Sequence, residues 1–185
     1  MFDRMLIEHC APTLGSLKTA NLFSFPLSRR AALDAALSEW NRELNPKGVS
    51  LHILGAMGSK ALIYVCRPTM LAEDLKREAV REFLARYGYR EFDPYAGINT
   101  LRERIRDASG FPHEIGLFLG YPLEDVRGFI ENSGQNCKCT GYWKVYCNEY
   151  ETVKLFMKYR RCRDIYIKLF KNRVKSVLQL TVAVS

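Results

Sequence analysis

The chain has 185 residues, of which 48% are hydrophobic and 26% charged. That balance excludes intrinsic disorder and describes about one ordinary domain, large enough to fold without a metal or disulfide staple. The net charge of +8 is local: residues 154–175 hold nine basic side chains and one acid, Asp164, and subtracting these from the 28 basic and 20 acidic residues leaves 19 of each sign elsewhere.

No apolar run approaches the roughly 18–20 residues of a membrane span. The opening Met1-Phe2-Asp3-Arg4 lacks the basic and long apolar regions of a secretory signal. The expectation is a cytoplasmic protein, and its six cysteines are expected as reduced thiols.

In chain order, residues 2–9 read as a short helix, followed by a turn-rich connector from Ala11 to Lys18. Asn21–Phe25 is a short strand stopped by Pro26. Ser28 is placed as the N-cap of a helix running to Leu44, with Leu33, Leu37, Trp40 and Leu44 at helical spacing. Residues 49–55 and 61–66 form a hairpin around a loop at 56–60, and Ala61–Cys66, apolar on both faces, is a central strand. A helix is expected from Thr69 to Tyr87, ended by Gly88, and another over 98–108. Phe111–Ile130 reads as two short helices, each opened by a proline (Pro112, Pro122) and by acids in its first turn. A polar loop follows from Asn132 to Thr140, then a strand over 142–147 and a helix over 149–172. The alternating Leu178, Leu180, Val182 and Val184 suggest a terminal strand. The pattern predicts a single α+β domain, its small, mostly antiparallel sheet carrying the 49–66 hairpin and strand 142–147, with helices packed on it.

No phosphate loop, dinucleotide fingerprint, nucleophile elbow or zincin motif is present, and the sequence leaves the cofactor unknown. The candidate chemistry lies elsewhere. His9 and Cys10, with Lys18 across the turn, place a thiol beside groups that lower a thiol pKa, against a plainer reading as a buried thiol beside a surface histidine. His113 and Glu114 fall at a helix start, where free N–H groups favour an anion, and Gly120 and Tyr121 follow at a corner that admits a ligand or, more plainly, tight helix packing. Tyr142, Lys144 and Tyr146 share one face of a strand, a grip for a planar anion or a solvated sheet face. Cys137, Cys139 and Cys147 offer three thiolates, but not at the spacing of a zinc knuckle. The basic helix 154–175 invites weak, non-specific nucleic-acid binding. A helix-turn-helix at 111–130 is excluded, because Glu124, Asp125 and Glu131 outnumber Arg127 on its second helix.

Three stretches, His9-Cys-Ala-Pro-Thr-Leu-Gly-Ser-Leu-Lys-Thr-Ala-Asn-Leu-Phe, Phe111-Pro-His-Glu-Ile-Gly-Leu-Phe-Leu-Gly-Tyr-Pro-Leu-Glu-Asp-Val and Gly141-Tyr-Trp-Lys-Val-Tyr, together resemble an uncharacterised family of small bacterial proteins, a domain of unknown function found mainly in anaerobes. The likeness runs from His9 to about Tyr166 and leaves Ser176–Ser185 outside. It implies no activity, fold or cofactor, but it marks the three stretches as a shared site. The expected function is an enzyme or binding protein for a small anionic molecule, with His113, Cys10 and His9 catalytic and Lys18, Glu114, Gly120, Tyr121, Tyr142, Lys144 and Tyr146 binding. The alternatives are an interaction module using helix 154–175 for nucleic acid or an acidic partner and, more weakly, thiolate metal binding.

Overall fold

The computed structural model describes residues 1–27, 30–107 and 111–183. The proposed cap Ser28 and the last residue of the alternating tail, Val184, lie outside them. Three strands form an antiparallel sheet in the order β1 (Ala20–Pro26), β3 (Lys60–Cys66), β2 (Ser50–Met57). The central strand is the one whose two faces are apolar, and its period-two alternation divides the core. Ala61, Ile63 and Val65 point to one layer, with Phe23, Leu51 and Ile53 beside them. Leu62, Tyr64 and Cys66 point to the other, with Ala20 and Leu54.

The first layer is covered by α1 (Phe2–Leu14), α2 (Arg30–Leu44), the C-terminal half of α8 (Glu149–Lys171) and α9 (Val177–Leu180). The second is covered by α3 (Pro68–Lys76), α4 (Glu78–Ala85), α5 (Pro94–Asp107), α6 (Ile115–Phe118) and α7 (Leu123–Glu131). The fold is α+β, as the element pattern predicts.

The remaining two strands, β4 (Cys139–Thr140) and β5 (Lys144–Val145), pair only with each other. The expected strand 142–147 is therefore two residues long and stands apart from the main sheet. Its side chains join a small third cluster, in which Trp143 and Val145 pack on Phe156 and Tyr159 of α8.

Other expectations shift at their edges. The connector after residue 9 is helical to Leu14: Pro12 lacks only its own N–H, and Gly15 and Leu17 still donate to the carbonyls of Ala11 and Pro12. The 69–87 helix breaks at Arg77, whose backbone is extended (ψ 125°). Helix α5 starts four residues early, since the Asp93 carboxylate accepts from the N–H groups of Tyr95 and Ala96 at 3.0 and 3.1 Å. The terminal strand is a one-turn helix: Ser176 and Gln179 form a reciprocal capping box at its start.

Arg67 ties these pieces together. Its side chain is fully buried and donates to the carbonyls of Thr13, Leu14, Lys47 and Val182, so the end of α1 and the chain after α9 close on one guanidinium.

Candidate functional site

The corner between α6 and α7 positions the site. Gly120 has φ +75° and lies against Thr19, so a side chain there would be both strained and blocked. Pro122, in extended conformation, then starts α7. In its first turn stands Asp125, only 2% exposed. One of its oxygens accepts the Trp143 indole N–H at 2.7 Å, and the other accepts the backbone N–H groups of Tyr146 and Cys147 at 2.8 and 2.9 Å. A single carboxylate therefore fixes the whole 143–147 segment against α7. Trp143, so held, stacks on Tyr121 with ring centroids 4.6 Å apart and meets Phe156 edge-on.

This packing leaves an open-mouthed cavity of about 320 Å³ between α6, α7 and the 140–144 segment. Its walls are aromatic: Phe111, Tyr121, Phe129, Tyr142 and Trp143. Two basic side chains join them, His113 and Lys144, along with Asp125, whose carboxylate is committed to Trp143, Tyr146 and Cys147. The His113 ring lies edge-on to Phe129 at 5.0 Å. Lys144 Nζ donates to the Gly134 carbonyl at 2.5 Å and sits 5.9 Å from the Phe129 ring centre, which leaves it two further N–H donors. An apolar slot with a few convergent polar groups has the character of a small-ligand pocket.

Four of the residues singled out from the sequence, His113, Tyr121, Tyr142 and Lys144, thus line one cavity. The others do not. Cys10 is completely buried in the core layer under α1, away from the cavity, and burial pushes its thiol far above the ordinary range, against the thiolate form. His9 is exposed and stacks on Phe23. Lys18 is an internal strut. Its ammonium donates to the carbonyls of Ala20 and, at 2.6 Å, Leu119, and lies 5.0 Å over the Tyr121 ring. Burial pulls it down to about 7, while Cys10 and Asp74 pull back.

Glu114 is also internal: it pairs with Arg104 and accepts from Tyr89, tying α6 to α5. Helix α6 is a single turn whose first N–H groups are spent on the carbonyls of Pro112, His113 and Glu114, so the anion-binding helix start expected at His113 does not form. Tyr146 does not line the cavity and packs over Gly128.

All six thiols are free. Among the described residues no three His, Cys, Asp or Glu side chains gather as a metal site. Cys137 faces the Thr140 hydroxyl and Cys147 the Asp125 carboxylate. Burial raises Cys139, and burial together with Asp125 lifts Cys147 to about 11.

The sequence reading missed Asp125, Phe111, Phe129 and Trp143. The signal for Asp125 was the tryptophan: a buried indole N–H requires an acceptor, and a carboxylate nearby is the natural one.

The chain belongs to the family described as protein of unknown function DUF3793, which matches residues 6–181. The match extends past Ser176, so most of the tail expected to lie outside the family is part of it. No curated protein and no solved structure matches the chain.

Proposed function

We propose that this protein binds a planar, anionic small molecule in the aromatic cavity, with Lys144 and His113 gripping its acidic group. The observation that carries this reading is the pairing of two basic side chains with a wall of stacked aromatic rings. Flat rings on the ligand gain area against Tyr121, Trp143 and Phe129, and Lys144 keeps free donors for a carboxylate or similar group. The cavity lining contains no thiol, and its one aliphatic hydroxyl is Thr140. Binding, with His113 as the group able to move a proton, fits it better than covalent catalysis. Free thiols and the absence among the described residues of any helix long and apolar enough to cross a membrane fit a cytoplasmic setting.

The test is titration with benzoate and indole-3-carboxylate, followed through Trp143 fluorescence. Lys144→Gln is expected to weaken binding about 10-fold or more, since a hydrogen bond to a charged group contributes about 1.5–3 kcal/mol. His113→Ala should weaken it severalfold, and neutral benzyl alcohol should not distinguish the variants. If neither acid binds, or if Lys144→Gln binds them as wild type does, the reading fails.

A further inference from the structure

On the far side of the Thr140–Tyr142 wall, α8 borders a second groove of about 720 Å³, lined by Thr140, Tyr142, Arg160 and Arg163 with Phe156 and Met157 as its apolar floor. Two residues of its lining each carry a buried polar atom without any hydrogen-bond partner among the described residues: Tyr142 at its hydroxyl and Arg163 at Nε. Buried donors without partners are rare, because each bears the desolvation cost of leaving water with nothing gained in return. Both residues line this one groove. Burial raises the Tyr142 phenol, and the Arg163 and Arg160 cations are what lower it again.

No carboxylate lines this groove. Arg160 makes no ion pair among the described residues, and Arg163 reaches Asp164 only through one terminal nitrogen at 3.5 Å, leaving Nε uncommitted. Glu149 acts on Cys139 at the groove's edge. A basic groove elsewhere, at Arg4, Lys171, Arg173 and Lys175, differs. There Arg4 is taken by Glu8 at 2.7 Å, and no buried donor is left over among the described residues.

We propose that the groove between the 139–142 segment and α8 is a binding site for a small phosphate group, free or as a monoester, held by Arg163, Arg160 and the Tyr142 hydroxyl. A phosphate is acceptor-rich and can engage two guanidinium forks and a phenol at once, whereas a carboxylate is satisfied by a single fork. The two arginines do not line the aromatic cavity, and Tyr142 is part of the wall that the two sites share.

Calorimetric titration with inorganic phosphate and with phenyl phosphate tests it. Arg163→Gln and Arg160→Gln are each expected to weaken phosphate binding about 10-fold, and Tyr142→Phe about threefold. Arg161→Gln, which lines a neighbouring groove with Arg160, Asp164 and Lys168 but not the phosphate groove, should bind as wild type. Lys144→Gln should also keep its phosphate affinity, which separates this site from the aromatic cavity. Tighter binding of phenyl phosphate than of phosphate assigns the monoester; equal affinity assigns the free ion. Arg163 is 42% exposed in its side chain, so Gln is tolerable there; if melting without phosphate shows that this variant is unfolded, Arg160→Gln decides. Absence of wild-type binding at millimolar phosphate overturns the proposal. So does equal loss in Arg161→Gln, or a short oligothymidylate binding more tightly than either phosphate and losing affinity equally in Arg161→Gln and Arg163→Gln, because a diffuse polyanion surface would behave in that way.

Discussion

Removing the Asp125 carboxylate should unfasten the segment that walls the aromatic cavity. In Asp125→Ala three N–H donors lose their acceptor together: the Trp143 indole and the amides of Tyr146 and Cys147. The indole is buried and carries the full cost of an orphan, about 1–3 kcal/mol. The two amides are only partly buried and recover some of theirs from water. Together the loss is expected at roughly 3–5 kcal/mol, since each hydrogen bond to a charged acceptor contributes about 1.5–3 kcal/mol and water returns part of it at the two amides. For a chain of this size each kcal/mol lowers the melting temperature by about 2–4 °C, so the shift should be on the order of 10 °C.

Asp125→Asn sharpens the test. Its remaining oxygen still accepts from the two amides, but the new NH2 faces the indole N–H, donor against donor. Its loss should be about 1–3 kcal/mol, and most of that should vanish in a Trp143→Phe background, which has no N–H to satisfy. Thermal melts of the four proteins in this cycle give the coupling directly. The chain has two tryptophans, so a Trp40→Phe background isolates the Trp143 fluorescence, which should shift to the red as the wall loosens. A loss below about 1 kcal/mol in Asp125→Ala, or no coupling between Asp125→Asn and Trp143→Phe, would refute the clamp.

Two further outcomes follow from the packing. Alanine for glycine inside an exposed helix usually stabilises by about 1 kcal/mol, but at Gly128 a Cβ would stand 2.5 Å from Tyr146 Cγ and 2.6 Å from its Cβ; Gly128→Ala should therefore destabilise by about 1–3 kcal/mol in urea unfolding, and a stabilised variant would show that Tyr146 is not packed there. His52 has its Nε2 buried without a partner, and burial, reinforced by Arg102, lowers its pKa from 6.5 to about 4. The folded state thus refuses a proton that the unfolded chain accepts. This contribution is fully present above about pH 6.5 and is lost as pH falls toward 4, by at most about 3 kcal/mol and less with solvent screening. His52→Gln should show a smaller fall in urea midpoint from pH 7 to pH 5 than wild type, and an equal fall would remove His52 from the acid response.

The parts legible in the sequence were those where one pattern extends over many residues. The run Ala61–Cys66 has apolar side chains on both faces, which only a central strand can use. The prolines at 112 and 122 marked the α6–α7 corner, and the long periodic helix from 149 was plain. Short elements were not legible. Val177–Leu180 is too brief for a helical period to compete with the alternation of Leu178, Leu180 and Val182, although Ser176 and Gln179 already stood at capping-box spacing. Stopping α1 at residue 9 also cost the sorting of its chemistry. Once the helix runs through Pro12, Leu6, Cys10 and Leu14 fall at successive intervals of four on the buried face, and His9 turns outward. The thiol–histidine pair then disappears, without any appeal to reactivity.

What joins the three stretches is a chain of contacts behind the cavity rather than a common set of gripping groups. Lys18, from the first, holds the Leu119 carbonyl just before Gly120 and lies over the ring of Tyr121. Tyr121, from the second, is therefore pressed between an ammonium and the indole of Trp143, and its hydroxyl donates to the Tyr142 carbonyl at 3.3 Å. Trp143, from the third, is returned to the second by Asp125. A buried ammonium is costly, but here two carbonyls and an aromatic face all favour its charged form. The cost is offset by fixing the backbone at the point where the chain reverses. A cavity made of flat rings selects a flat ligand only if the rings cannot tilt, and rotameric freedom at Tyr121 would open the slot. Lys18 and Asp125 remove that freedom from opposite ends of the stack. A lysine that looked like an anion grip in the sequence thus acts as a positioning residue, one ring removed from the space it shapes.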